Sequence, residues 1–295
     1  MKPRAILCIG SVLWDVIGRS ASHMERGADV PGRISRVPGG VALNIAVALA
    51  RLGARPVLLS AVGRDAEGHD LVAACAARGL DTAHLYRSED LPTDRYMAVE
   101  GANGLIAAIA DAHSLETAGA RILAPLLDGT LGSPAAPWTG LAVLDGNLTE
   151  DLLARIATDP AFAAADLRVA PASPGKAERL LPFLGHGRAV LYLNLEEAGL
   201  LAGRTFVAAP EAAAHLLTRG AGRVVVTDGA RTACDAGPDG LFEAQPPQVL
   251  VTRVTGAGDA FMAAHLAADA AGEDPQAALA RALRAAAAHV SGETP

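Results

Sequence analysis

Residues 251–261 read Val-Thr-Arg-Val-Thr-Gly-Ala-Gly-Asp-Ala-Phe, and an Ala-rich helical run follows them. Gly256, Ala257 and Gly258 are too small to shield their own backbone. The N–H groups at the start of a helix are unpaired and sit at the positive end of the helix dipole, so such a turn attracts an anion. A carboxylate beside that hole is a poor phosphate ligand, because like charges repel. It suits a general base for whatever attacks the phosphate. Two readings stand at this point: a tight strand-to-helix turn in which Asp259 caps the helix, or a phosphate cradle with Asp259 as base. Two familiar nucleotide motifs are excluded. A dinucleotide fingerprint needs a third Gly where Phe261 stands, and it belongs after the first strand rather than near the C-terminus. A P-loop needs Gly, four residues, then Gly-Lys-Ser/Thr; at Gly175-Lys176 the outer positions are Ala170 and Ala177.

Working outward from this loop, short apolar runs alternate with amphipathic Ala/Leu/Arg stretches. The strand candidates are 6–9, 56–62, 140–144, 167–170, 189–193 and 223–227. The helix candidates are 41–52, 68–78, 150–157, 176–184, 210–219, 258–271 and 275–290. Apolar strands separated by helices predict an α/β fold with a central, mainly parallel sheet covered on both faces, and ligands of such sheets bind at the carboxyl ends of the strands. Two stretches break the alternation: the polar, Gly/Pro-punctuated residues 15–37, and a hairpin at 93–110 whose turn is Gly101-Ala-Asn-Gly104. Paired together, they would form a small β lid on a single domain spanning 1–295.

Bulk properties bound the function. The chain has 295 residues and a formal net charge of −7, which argues against a nucleic-acid or anionic-membrane partner. Of the 25 cationic side chains only Lys2 and Lys176 are lysine. Cys8, Cys75 and Cys234 lie far apart, as buried reduced thiols do, and form no zinc pattern. The start, Met1-Lys2-Pro3-Arg4 and a short apolar run, lacks a signal h-region, and no long uncharged apolar segment occurs. A cytoplasmic location is expected.

Four further groupings carry chemistry. In Pro38-Gly-Gly-Val-Ala-Leu-Asn44, Gly39 and Gly40 let the backbone approach a ligand, and Asn44 lies one turn into the next helix. Asp15 follows the first strand by six residues and reads either as a turn residue or as a ligand-binding carboxylate. Asn194-Leu-Glu-Glu197 is either a helix cap with its capping-box partner or a hard-oxygen pair suited to Mg²⁺ beside a triphosphate. Val226-Thr-Asp-Gly229 ends a strand, where Thr227 and Gly229 could meet a nucleotide.

These residues, in this order, resemble the ribokinase-like (PfkB) carbohydrate kinases, from Gly10-Ser-Val-Leu-Trp-Asp15 to the last helix. Pro-Gly-Gly-x-x-x-Asn at 38–44 and Thr255-Gly-Ala-Gly-Asp259 are similar to the family's two signatures. The resemblance implies a three-layer α/β sandwich with a small β lid, ATP as donor, Mg²⁺ as charge neutraliser, and a small-molecule sugar or nucleoside as acceptor. It implies that Asp259 takes the proton of the acceptor hydroxyl while Gly256, Ala257 and Gly258 hold the developing charge. Asp15, Gly39, Gly40 and Asn44 would bind the acceptor; Asn194 and Glu197 match the magnesium motif, and Thr227 and Gly229 start the nucleotide motif. It also implies a homodimer through the lid, which the apolar run Leu105-Ile-Ala-Ala-Ile109 fits.

Within the family the chain most resembles pseudouridine kinases, through Pro31-Gly-Arg-Ile-Ser-Arg-Val-Pro-Gly-Gly40, through Ala107 to Asp111, and through Pro171-Ala-Ser-Pro-Gly-Lys176. That likeness adds Asp111 and Lys176 to the acceptor site and pseudouridine as the expected substrate. The alternatives are ribokinase, fructokinase, ketodeoxygluconate kinase or an adenosine-type kinase, and a non-catalytic sugar- or nucleotide-binding regulator. Five positions depart from the pattern. Ala170 replaces an Asp, Tyr192-Leu193 replaces Lys-Pro, and Thr232 replaces the last Gly of the nucleotide motif. Arg253 stands where many members carry an Asp that helps bind a monovalent cation, which leaves a K⁺ requirement open.

Overall fold

The strands that build the core are almost continuously apolar, as strands covered on both faces must be. In a computed structural model, which describes residues 5–293, the strands of the whole fold are β1 (Ala5–Ile9), β2 (Leu13–Arg19), β3 (Arg33–Gly39), β4 (Arg55–Leu59), β5 (Ala61–Gly63), β6 (Tyr86–Ser88), β7 (Arg95–Gly101), β8 (Gly104–Asp111), β9 (Leu141–Asp145), β10 (Asp166–Ala170), β11 (Val190–Asn194), β12 (Arg223–Thr227), β13 (Ala233–Gly237) and β14 (Gly240–Ala244). The helices are α1 (Val41–Arg51), α2 (Ala66–Ala76), α3 (His113–Ala118), α4 (Glu150–Thr158), α5 (Leu181–Leu184), α6 (Leu195–Ala202), α7 (Ala209–Thr218), α8 (Ala257–Ala270) and α9 (Pro275–Ser291). The first four residues, read above as a start without a signal sequence, lie outside the described residues.

One eight-stranded sheet runs in the order β14-β13-β12-β11-β10-β9-β1-β4. It is parallel from β12 to β4 and antiparallel at the β13–β14 edge. Alternate side chains feed two cores. Leu7 and Ile9 of β1 join the one covered by α4, α6 and α7; Ile6 and Cys8 join the one covered by α1, α2, α8 and α9. The order reverses at β1, which pairs with β4 on one side and β9 on the other. A crevice opens outside the carboxyl ends of strands at such a switch.

A second sheet, in the order β3-β2-β7-β8, draws its strands from the two expected insertions. Its strands begin and end about two residues outside 15–37 and extend to Asp111. Two other expectations are corrected, and two strands were missed. The strand read over 56–62 splits at Ser60: β4 joins the large sheet, whereas β5 pairs with β6 in a two-stranded ribbon. The helix read over 176–184 is a 3₁₀ segment, 174–180, followed by the short α5, with Pro182 removing an N–H inside the stretch. The strands β13 and β14 were not foreseen, because Ala233-Cys-Asp-Ala-Gly237 carries no β-branched residue.

Those strands close an ion network under α8. Arg223 on β12 forks onto Asp235 of β13 at 2.8 and 2.6 Å and reaches Asp269 of α8 at 2.9 Å. Arg168 on β10 reaches Asp269 at 2.6 Å. His265 of α8 bridges Asp235 and the Tyr192 hydroxyl at 3.1 and 2.9 Å. The helix that follows Gly256 is thus held to the sheet by partnered charges, where leaving one charge single would be costly. No helix among the described residues is long and apolar enough to cross a membrane.

Candidate active site

The crevice holds a cavity of about 500 Å³ lined from both sheets, a size usual for small-molecule sites. Asp15, Tyr96 and Ala110 reach it from the second sheet; Ser11, Asn147 and Lys176 lie on one flank, and Asn194, Glu197 and Thr227 on the other. Between the flanks lie Asn44, Gly256, Gly258 and Asp259. The two motifs read from sequence meet directly: Asn44 Nδ2 donates to Asp259 Oδ2 at 2.9 Å across 215 residues of chain.

At the start of α8, Gly256 adopts a left-handed conformation (φ 86°), which turns the chain into the helix. The Ala257 N–H is donated to the Val254 carbonyl at 3.1 Å. The N–H groups of Gly258 and Asp259 have no hydrogen-bond partner among the described residues, and a Cβ at Gly258 would meet nothing within 4 Å. An open, unpaired N–H pair at a helix start, backed by a network that fixes the helix, can hold a phosphate oxygen.

The opposite flank is organised by Asp145, which is fully buried. Its Oδ2 accepts from Ser11 N–H, Ser11 Oγ and Ala42 N–H at 2.8, 2.8 and 2.9 Å, and its Oδ1 from Asn147 N–H at 2.8 Å. Ser11 Oγ in turn accepts from Val41 N–H and Asn147 Nδ2. One carboxylate thereby ties the ends of β1 and β9 to the start of α1. Gly40 is obligatory in this knot, because its φ is 102° and a Cβ would fall 2.4 Å from the Ser11 carbonyl oxygen. Lys176 Nζ donates to Asn147 Oδ1 at 2.6 Å; burial, then Arg179, lowers its pKa. Ser11, Asp145 and Asn147 were missed in the sequence. The strand read over 140–144 stopped one residue short, and an Asp-Gly-Asn run looks like an ordinary turn.

Three carboxyl groups facing the cavity are held above their ordinary range. Asp259 is pushed up to about 7, by burial first and then by Asp145, Asp15 and Glu197, against the pull of the Asn44 amide. Asp15 rises to about 6 through burial. Glu197 rises to about 7, mainly through burial. A carboxyl poised near 7 beside an anion hole can exchange a proton with a bound hydroxyl at neutral pH.

The remaining predicted residues are placed as follows. Asn194 and Glu197 form the capping box of α6: the Asn194 side chain accepts from Glu197 N–H, and Glu197 Oε2 from Asn194 N–H, both at 2.8 Å. Both residues also line the cavity, and Glu197 Oε1 takes no hydrogen bond among the described residues, so one oxygen is left for a metal-bound water. Among those residues no group of three or more His, Cys, Asp or Glu could hold a metal by itself. Mg²⁺, which keeps several waters and is held by one or two carboxylates plus substrate phosphates, fits this donor set. Gly39 lies against Asp15, whose Oδ2 is 2.1 Å from where a Cβ would stand. Gly229 is exposed in the turn after β12, outside the cavity lining. Asp111 lies outside the cavity lining. It neighbours Ala110, which lines the cavity, and successive strand residues point to opposite faces. Its Oδ1 instead accepts from His113 N–H at 3.3 Å, outside the cavity. Arg253 also lies outside, with its Nε on the His289 carbonyl at 2.8 Å.

Residues 3–294 match the pfkB family carbohydrate kinases. The chain is 32% identical over 272 residues to a pseudouridine kinase of Escherichia coli strain K12, covering 88% of this chain and 81% of that one. A solved carbohydrate kinase from Agrobacterium tumefaciens superposes with a TM-score of 0.80 at 29% identity, covering 96% and 90% of the two chains. A ribokinase from Thermotoga maritima gives 0.79 at 21% identity, covering 97% and 93%.

Proposed function

The chain belongs to the pfkB family of carbohydrate kinases and is an ATP-dependent phosphotransferase with an alcohol group as acceptor; within that class we propose that it phosphorylates the primary 5′ hydroxyl of a ribosyl compound, with pseudouridine as the substrate. The observation that carries the reading is the Asn44–Asp259 hydrogen bond at the cavity floor. It sets a poised carboxyl between an acceptor-side flank of Asp15, Gly39, Gly40 and Lys176 and a nucleotide-side flank of Asn194 and Thr227, with Gly229 beyond it. The pseudouridine kinase relative supports the choice of acceptor.

In this reading Asp15 and Asn44 hold the sugar hydroxyls, with Gly39 and Gly40 giving the ring room to approach. Lys176 and Asn147 offer a donor and an acceptor to the base. Asp259 takes the proton as the hydroxyl oxygen forms its bond to the γ-phosphorus and the bond to the ADP oxygen breaks. The N–H groups of Gly258 and Asp259 stabilise the charge on the transferring group, and Ala257 contributes small size rather than a free donor. Mg²⁺, held through Glu197, with Asn194 alongside, would neutralise phosphate charge. Catalysis of this kind is mostly positioning and electrostatics.

The second sheet acts as a lid that excludes water. Its outer side chains Ile34, Leu105 and Ile109 are 80, 60 and 62% exposed, an apolar surface suited to a second copy of the chain in a homodimer. An ATP donor fits the cytoplasmic location expected from the sequence. The test is ADP release with ATP and a panel of pseudouridine, adenosine, ribose, fructose and ketodeoxygluconate. Pseudouridine is expected to give the highest kcat/KM, by roughly tenfold or more, since a site that hydrogen-bonds a base rejects acceptors lacking one. Preference for a free sugar would overturn the acceptor. Tight ATP binding without turnover on any acceptor would make the protein a binding module.

A further inference from the structure

Behind the Gly256–Asp259 loop, the segment 252–255 lies against the last turn of α9. The Val290 carbonyl accepts from Thr252 N–H at 2.8 Å, Thr252 Oγ1 at 3.0 Å and Arg253 N–H at 3.2 Å. The His289 carbonyl accepts from Arg253 Nε at 2.8 Å and Gly292 N–H at 3.2 Å. His289 Nε2, which must carry a proton here because a carbonyl only accepts, donates to the Thr255 carbonyl at 2.8 Å. The fit is close: a Cβ on Gly256 would fall 2.9 Å from His289 Nε2. A helix C-terminus is its negative end and favours a cation. Here that cation is a guanidinium, and Arg253 has no carboxylate partner within salt-bridge distance among the described residues.

A monovalent metal ion seated at this helix end would have to draw on the Val290, His289 and Thr255 carbonyl oxygens, and each already accepts a hydrogen bond, one of them from a positively charged donor. The residues present therefore do not fit such an ion. We propose that Arg253 serves as a built-in cation that, together with His289, positions the Gly256–Asp259 loop from behind and makes turnover independent of a monovalent metal ion. Arg253 is then a positioning residue, acting on the reaction only through the loop. The proposal rests on the kinase reading for its kinetic consequences but not for its geometry.

The test compares kcat and KM in the chlorides of potassium, sodium and tetramethylammonium at equal ionic strength. Wild-type values are expected to agree within about twofold, because no site is left to fill. Arg253→Ala is expected to lose roughly tenfold in kcat with the acceptor KM little changed, as loss of a charged hydrogen bond behind the loop would produce. Arg253→Lys, which keeps the charge but not the fork, should retain part of that activity, and millimolar guanidinium should restore part of it to Arg253→Ala alone. Activation of the wild type by potassium over tetramethylammonium beyond about fivefold would overturn the proposal, because an open site would then be filling. So would an Arg253→Ala enzyme as active as the wild type. If no acceptor supports turnover even in the wild type, the kinase reading fails by itself and amide exchange decides the clamp. Faster exchange at 256–259 in Arg253→Ala supports it, and unchanged exchange there overturns it.

Discussion

Asp259→Asn is expected to lower kcat by about 10³-fold while leaving ATP binding within about twofold, the loss usual for a positioned general base. The substituted side chain keeps the size of the carboxylate and can still meet Asn44, so the cavity should survive while the proton acceptor is lost. The same carboxyl sets the acid limb of the wild-type profile. Because it is pushed up to about 7 and must be ionised to act, kcat/KM should climb about tenfold per pH unit below that value and level off above it. Stability should move the other way. The folded protein holds the Asp259 proton more tightly than the unfolded chain does, so this group's contribution is favourable below its ordinary range and is lost as pH rises from about 4 to 7. At pH 8 the ionised carboxylate opposes folding, and Asp259→Asn should raise the ligand-free Tm by about 3 °C, with no gain at pH 4. A slow variant that is no more stable than the wild type at pH 8 would contradict the origin assigned to the raised pKa.

Asp145→Asn is expected to act by another route, through the shape of the acceptor flank. Four donors converge on the Asp145 carboxylate. An amide has only one acceptor oxygen, so whichever way it turns, its NH₂ faces at least one buried donor. The cost is about 3 kcal/mol, or a Tm lower by roughly 6 °C for a chain of this length. Because the Ala42 N–H among those donors, and Ser11 Oγ through Val41 N–H, fix the start of α1, the acceptor KM should rise about tenfold, whereas the ATP KM should change by less than about twofold. Calorimetry and initial-rate kinetics separate the two effects. Equal increases in both KM values would show that Asp145 supports the fold generally and not the acceptor flank.

Residues that announced themselves in the sequence did so through local spacing. Gly256, Gly258 and Asp259 lie within one turn, Gly39, Gly40 and Asn44 within two, and the glycines mark where backbone must be open. The structure brings Gly40 and Asn44 to one floor with Gly256, Gly258 and Asp259. Asp145 and Asn147 were silent, because their importance lies in bonds to Ser11 across 134 and 136 positions. Nothing near a short Asp-Gly-Asn turn signals that. The Asn194–Glu197 pair shows why a local motif can carry two meanings: the side chains cap α6 and face the cavity at once, so the helix cap and the candidate metal site are one object. Asp111 sits beside Ala110 on β8, and strand alternation turns it away from the cavity that Ala110 lines. The sheet was legible wherever strands were apolar on both faces. It was not legible at β13, where buried Asp235 is stabilised by Arg223 and His265, partners that only the folded chain supplies.

The most direct measurement is ³¹P NMR of the product formed from ATP and pseudouridine by the wild-type protein, read alongside the same reaction with Asp259→Asn. The expected result is one new phosphomonoester resonance coupled to the two 5′ protons, formed in step with ADP and absent with Asp259→Asn over the same time. Inorganic phosphate alone, a phosphoryl group on a secondary hydroxyl, or equal product from the two proteins would contradict transfer to a primary hydroxyl by the Gly256–Asp259 loop.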